Sequence, residues 1–150
     1  MLELGDQIPD ITLKNQDDQS VSFRSYLGKN IVVYFYPKDF TPGCTKEACS
    51  FRDNYSLLES YDAEIIGVSG DSPKSHQKFA KAYNLKYTLL SDTNKKAERA
   101  FGVKRNMFGL LPGRETFIFD KKGKMIGKFS SAIAATRHVE EAIKVLEKQR

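Results

Sequence analysis

Cys44 and Cys49 stand together in the run Tyr34–Cys49, YFYPKDFTPGCTKEAC, and are the only cysteines of a 150-residue chain. Two cysteines are too few for a disulfide scaffold, so closely spaced thiols point instead to redox or metal chemistry. Metal fits less well, because a thiol pair needs further ligands. The two histidines, His76 and His138, lie far off in sequence with no spacing motif, and each is expected to be an isolated surface residue.

Thr41 suits a helix N-cap and Pro42 the first helical position, which places Cys44 in the first turn. Free backbone N–H groups and the positive end of the helix dipole favour an anion there, hence a thiolate. Ionisation alone gains little. A free thiol is already a few per cent thiolate at neutral pH, so complete ionisation is worth only about 30-fold. Lowering a thiol's proton affinity also lowers its nucleophilicity, so fast chemistry needs groups that stabilise charge developing in the transition state. The Thr41 hydroxyl and a cation are such groups.

Cys49 follows Cys44 by five positions, which on a regular helix means about 140° of rotation and a Cα separation of roughly 8 to 9 Å. A disulfide needs less than about 7 Å. If the two cysteines bond to each other, the first turns must unwind, and the spacing then predicts a redox-linked conformational switch. Blander readings remain open at this point. An isolated helical Cys49 would read as a small buried hydrophobe, a preference that its neighbour Cys44 overturns, whereas Thr41 is adequate as a cap and nothing more, and Glu47 as a complement to the dipole or half of a capping box.

The elements that must hold these residues are legible in outline. Segments near Ile11–Leu13 and Ser20–Phe23, joined by the polar turn 15–19, predict a hairpin at a sheet margin. Asn30–Tyr36 is a continuous apolar, β-branched and aromatic run that predicts a central strand covered on both faces, ended by Pro37. Ala48, Phe51, Tyr55 and Leu58 continue one helical face from Thr41 to about Glu59. Glu64–Ser69 predicts a second buried strand, Ser72 and Pro73 open a helix through Tyr83, and a short strand follows at Thr88–Leu90. Strand, helix, strand in this order implies a right-handed crossover. Asp92 is expected to cap a short helix ending at Phe101, and Gly102–Gly113 to form a long loop with an apolar stretch, Met107–Leu111. Thr116–Phe119 and Met125–Phe129 predict a hairpin over the turn 120–124, and Val139, Ile143, Val145 and Leu146 stripe a closing helix.

Composition bounds the rest. With 40% apolar and 29% charged residues, ten Phe and seven Tyr, there is material for one α/β core, expected as a single domain over residues 1–150. The net charge of +5 is scattered as Lys-Lys pairs, which predicts a solvated surface and disfavours nucleic-acid binding. No stretch reaches the roughly 18 apolar residues of a membrane span, and the first residues lack a cationic start with a hydrophobic run. A cytoplasmic protein, off the membrane, is the expectation.

Pro37, Thr41 and Cys44 match the PxxxTxxC signature, and with Cys49 five positions on the chain resembles the Q-type peroxiredoxins, also called the bacterioferritin comigratory protein family. GVSGDS at 67–72, LLSD at 89–92 and GRETFIFD at 113–120 resemble Q-type segments in the same order, and GLLPGR at 109–114 is similar to plant and cyanobacterial members. The resemblance implies a thioredoxin-like α/β fold with an added N-terminal β-hairpin. It implies hydroperoxide reduction by Cys44, with Thr41 and Arg114 holding the peroxide oxygens and Cys49 resolving the sulfenic acid through an intramolecular disulfide. Arg52, Arg24 and Arg105 are weaker candidates for the arginine. Glu47 would orient Arg114 or Thr41, and Pro37 would shield the thiolate. No metal, haem or nucleotide is implied. Thioredoxin or glutaredoxin would be the reductant, and a monomer is expected. Thioredoxin's own CxxC pair is absent, which disfavours disulfide oxidoreductase activity. The rival from another class is a redox-sensing or chaperone-like binding protein that exposes the 107–111 stretch on oxidation.

Overall fold

The computed structural model describes residues 2–106, 111–131 and 134–149. The hairpin strands β1 (Thr12–Asn15) and β2 (Ser20–Ser22) come first, and β3 (Asn30–Phe35) follows a 3-10 turn at Phe23–Tyr26. Helices α1 (Pro42–Asp53) and α2 (Tyr55–Ser60) lead to β4 (Ala63–Ser69), α3 (Pro73–Ala82) and β5 (Thr88–Ser91). After α4 (Lys96–Phe101) come the short strands β6 (Arg105–Asn106) and β7 (Leu111–Pro112). The chain then forms β8 (Glu115–Phe119), β9 (Met125–Ser130) and α5 (Arg137–Glu147).

A 7-stranded sheet runs in the order β2-β1-β5-β4-β3-β8-β9, with β3, β4 and β5 parallel and the other pairings antiparallel. This is the mixed α/β sheet flanked by helices that the sequence implies. Every residue of β3 is buried. Val32 and Tyr34 enter the core beneath α1, α2, α3 and α5, whereas Ile31, Val33 and Phe35 enter the core on the α4 side. Each such side chain contributes about 1.5 to 3 kcal/mol on full burial, so an uninterrupted apolar run belongs at the sheet's centre.

Two expectations need correction. The helix from Thr41 is not continuous to Glu59: it breaks at Asn54, whose side-chain amide donates to the Ser50 carbonyl at 2.8 Å and whose backbone leaves helical geometry. The Gly102–Gly113 segment is not wholly loop, since β6 and β7 pair antiparallel; Met107–Leu110 lies outside the described residues. Asp92 does cap α4, but from outside the preceding turn, its two carboxylate oxygens accepting from the Ala97 and Glu98 N–H groups at 2.9 Å each.

Helix α1 is fastened to the sheet by a buried phenol chain. The Tyr87 hydroxyl donates to the Ala48 carbonyl at 2.9 Å, so the Tyr34 hydroxyl, 2.8 Å away, donates to Tyr87. The Tyr34 ring stacks on Phe51 at 4.5 Å between centroids and passes directly over Gly67. A Cβ at position 67 would come within 2.9 Å of the Tyr34 ring and 2.8 Å of Leu89. Gly67→Ala is therefore expected to destabilise the protein by about 1 to 3 kcal/mol, read from urea unfolding. Unchanged stability would mean that Tyr34 is not wedged there.

Candidate active site

Strand β3 delivers the chain to the site, and the loop after it is tied down before α1 begins. The Asp39 carboxylate accepts from the Tyr36 hydroxyl at 2.6 Å and the Ser75 hydroxyl at 2.8 Å, and lies 2.7 Å from His76 Nδ1. The Asp39 N–H donates to Asp71 at 2.8 Å, and Asp71 also accepts from Ser69. Donor atoms of Asp39, Asp71 and His76 lie within 4.8 Å of one another, a spacing that could suit a cation. Each is already engaged by side-chain or backbone partners, so the cluster reads as a clamp on the loop. Phe40 takes a left-handed backbone at φ 67° and packs its ring 5.1 Å from Phe79. Pro37 is half-buried between β3 and the loop.

Thr41 opens α1, its carbonyl accepting from the Thr45 N–H at 2.8 Å. Its side chain makes no cap, contrary to expectation: the hydroxyl turns back and donates to the Lys38 carbonyl at 3.0 Å. The bend between Pro37 and Thr41 brings that carbonyl within reach. A hydroxyl used once as donor keeps its lone pairs for a further partner.

Cys44 lies in the first turn of α1, 1% exposed, with Sγ 3.6 Å from Arg114 Nη2. Arg114 precedes β8, and the pairing of Phe35 with Glu115 brings the start of β8 against the end of β3, beneath α1. Gly43 leaves the guanidinium room, since a Cβ there would sit 3.0 Å from Nη2. Glu47, one turn after Cys44 and wholly buried, accepts from Arg114 Nη1 at 2.6 Å. Burial works against the Arg114 charge, yet Glu47 and Cys44 outweigh it and hold its pKa above the usual value. Burial drives Glu47 the other way for an acid, up to about 8, and Arg114 only partly offsets this.

Cys44, Glu47 and Arg114 thus meet, with Thr41 at the head of the same helix. Cys49 sits farther along α1, half-buried, and both thiols are free. The three weaker candidate arginines are engaged elsewhere: Arg24 with the Ile8 carbonyl and Asp10, Arg52 with Asp53 and the Tyr83 carbonyl, Arg105 with Glu98.

Neither histidine is a surface residue; both are fully buried. His76 bridges Asp39 and the Leu90 carbonyl, and His138 bridges the Thr116 hydroxyl at 2.7 Å and the Ser131 carbonyl at 3.0 Å. Their partners lie on distant segments, so no local pattern could have announced the burial. His138 Nδ1 is also 3.5 Å from Glu47 Oε2, which adds to the site a residue that sequence reasoning missed.

Residues 4–127 match the AhpC/TSA family. The chain is 48% identical over 143 residues to a chloroplastic peroxiredoxin Q of Gentiana triflora and 46% identical to that of Populus jackii, in each case over 95% of this chain. It spans 66% and 67% of those two relatives, about two thirds of their length. Peroxidoxin BcpB from Mycobacterium tuberculosis superposes with a TM-score of 0.92 at 34% identity, over 100% of this chain and 99% of that one. The bacterioferritin comigratory protein of Xanthomonas campestris superposes with a TM-score of 0.87 at 31% identity, over 99% and 98% of the two chains.

Asp39→Ala removes the acceptor of two hydroxyls and leaves His76 without its carboxylate inside the core. The expected loss is about 3 to 5 kcal/mol by urea unfolding. Alkylation of Cys44 in the still-folded variant should speed up as the loop loosens. An unchanged alkylation rate would show that the clamp does not hold the thiol's surroundings.

Proposed function

The chain belongs to the AhpC/TSA family, among its Q-type peroxiredoxins, and on that premise we propose that Cys44 is the peroxidatic thiol of a thiol-dependent peroxidase and Cys49 its resolving partner. The observation that carries this reading is the guanidinium of Arg114 3.6 Å from a sulfur in the first turn of a helix. A cation and helix N-terminal dipoles together meet negative charge as it shifts from sulfur onto oxygen in the transition state.

In the first step the Cys44 thiolate attacks one peroxide oxygen. The S–O bond forms, the O–O bond breaks, and the departing oxygen leaves with a proton as water or alcohol. Arg114 donates to the peroxide oxygens and the Thr41 hydroxyl binds a second edge of the substrate, while Pro37 limits water at the sulfur. Glu47 orients Arg114. Unwinding of the first turns of α1 then lets the Cys49 thiolate attack the sulfenic sulfur, forming S–S and breaking S–O, the departing hydroxide taking a proton from solvent to become water. An external dithiol of the thioredoxin or glutaredoxin kind reduces that disulfide by exchange.

Because both thiols belong to one chain, a monomer suffices for the cycle. Hydrogen peroxide and organic hydroperoxides share the O–O bond that is attacked. The compartment must hold a dithiol reductant, and we assign the cytoplasm; the plant relatives are chloroplastic by name. Among the described residues no helix is long and apolar enough to cross a membrane.

Intact mass and a free-thiol count before and after one equivalent of hydrogen peroxide test the cycle. The expected result is loss of both thiols and about two mass units, with no dimer, within seconds. Cys44→Ser should abolish turnover, and Cys49→Ser should permit one oxidation but stop dithiol-linked recycling. Full turnover by Cys44→Ser, or two thiols surviving peroxide, would overturn the reading.

A further inference from the structure

Glu47 contributes more than an acceptor for Arg114. Its Oε1 takes the guanidinium, but its Oε2 is fully buried and has no hydrogen-bond donor among the described residues. The polar atom it faces is His138 Nδ1 at 3.5 Å. His138 Nε2 lies 3.0 Å from the Ser131 carbonyl, an acceptor, so Nε2 carries a proton. In a neutral imidazole the atom turned toward Oε2 is therefore a lone pair, shared with the Thr116 hydroxyl at 2.7 Å. A carboxylate oxygen against a lone pair is an unfavourable pairing in a low dielectric. One proton placed between them removes the conflict.

Resting on the peroxidase reading, we propose that Glu47, buried with its Oε2 turned to the lone pair of His138, is a neutral carboxylic acid at neutral pH, so that it does not compete as an anion with Cys44 and the peroxide for Arg114. The groups around Glu47 agree. Cys44 is on its own helix, Arg114 and Thr116 are on the β8 segment, and His138 is on α5. The buried phenols Tyr34 and Tyr87 feel its charge, and both are pushed up by burial, hence neutral. Glu47 rises to about 8 and His138, mainly through burial, falls to about 4, so of the two the carboxyl keeps the shared proton. Were Glu47 ionised, Arg114 would face two anions and offer each only part of its charge.

Carbon-13 NMR of glutamate-labelled protein reads the Glu47 carboxyl directly, assigned by its loss in Glu47→Gln. The expected result is a protonated carboxyl at neutral pH that titrates near about 8, and a neutral His138 protonated on Nε2 by nitrogen-15 NMR. A Glu47 carboxylate or a His138 imidazolium at neutral pH would overturn the proposal. Should Glu47→Gln not fold, urea unfolding of the wild type against pH gives the same answer. A native state that keeps a proton the unfolded chain has released loses stability as pH rises, and because the lowered His138 gives the opposite slope up to its ordinary value of 6.5, the net decline is expected from there to about 8; a curve without a decline in that window sinks the idea. The functional half is read in Cys49→Ser, where the rate of Cys44 oxidation should fall several-fold above about pH 8 as Glu47 ionises. A rate flat or rising across that titration refutes it. No oxidation at any pH would refute the peroxidase reading, while the carboxyl titration would still decide where the proton sits.

Discussion

A guanidinium held in the interior is the constraint around which this molecule is arranged. Arg114 is 8% exposed, with Glu47 at 2.6 Å and the Cys44 sulfur at 3.6 Å. Removing a charge from water costs several kcal/mol unless partners replace the solvent, so the fold must bring those partners from separate segments. The β3–β8 register sets the arginine against the end of the central strand, and α1 lays a carboxyl and a thiol over it. Gly43 keeps the approach open by having no side chain. Misplacing any of these would leave a buried charge uncompensated, which ties the stability of the fold to the integrity of the site.

What the sequence disclosed follows the range of the forces involved. The β3 run was legible because its burial on both faces is written in consecutive apolar residues, and the starts of α1 and α3 because Pro42 and Pro73 follow Thr41 and Ser72. The end of α1 was not legible. Ala48, Phe51, Tyr55 and Leu58 keep a helical period straight through Asn54, and the break depends on a side-chain hydrogen bond to the Ser50 carbonyl that periodicity does not encode. Both histidines were misread for a related reason, since their partners come from other strands and loops. Arg114 itself has no local mark. It was singled out by resemblance, and only the strand register gives the choice a physical basis.

Helix α1 serves two opposed needs. In the proposed cycle Cys44 must be rigidly presented to the cation, yet the spacing of Cys44 and Cys49 forbids a disulfide on an intact helix. The anchors of α1 are divided accordingly. Its later half is fixed by Tyr87 to the Ala48 carbonyl and by Arg52 to the Tyr83 carbonyl, contacts that do not involve the first turn. The first turn is held through the Arg114 contacts and through the clamped loop that leads into it. Because the helix already breaks at Asn54, fraying at its N-terminal end need not pass into α2.

That division links the chemistry to the motion that must follow it. In the proposed cycle, a Cys44 thiolate 3.6 Å from Arg114 would form an ion pair that holds the first turn against the sheet. Once the sulfur carries oxygen as a neutral sulfenic acid, the pair is gone while the cost of keeping the guanidinium buried remains. If Glu47 is neutral at that moment, it does not replace the lost anion, and the first turn would lose the ion pair that tethered it. In the proposed cycle, oxidation would then weaken the half of α1 that unwinds and leave untouched the phenol chain that holds the other half. A site that stayed fully neutralised by an ionised Glu47 would lack this coupling, because its arginine would be satisfied equally before and after the peroxide reacts.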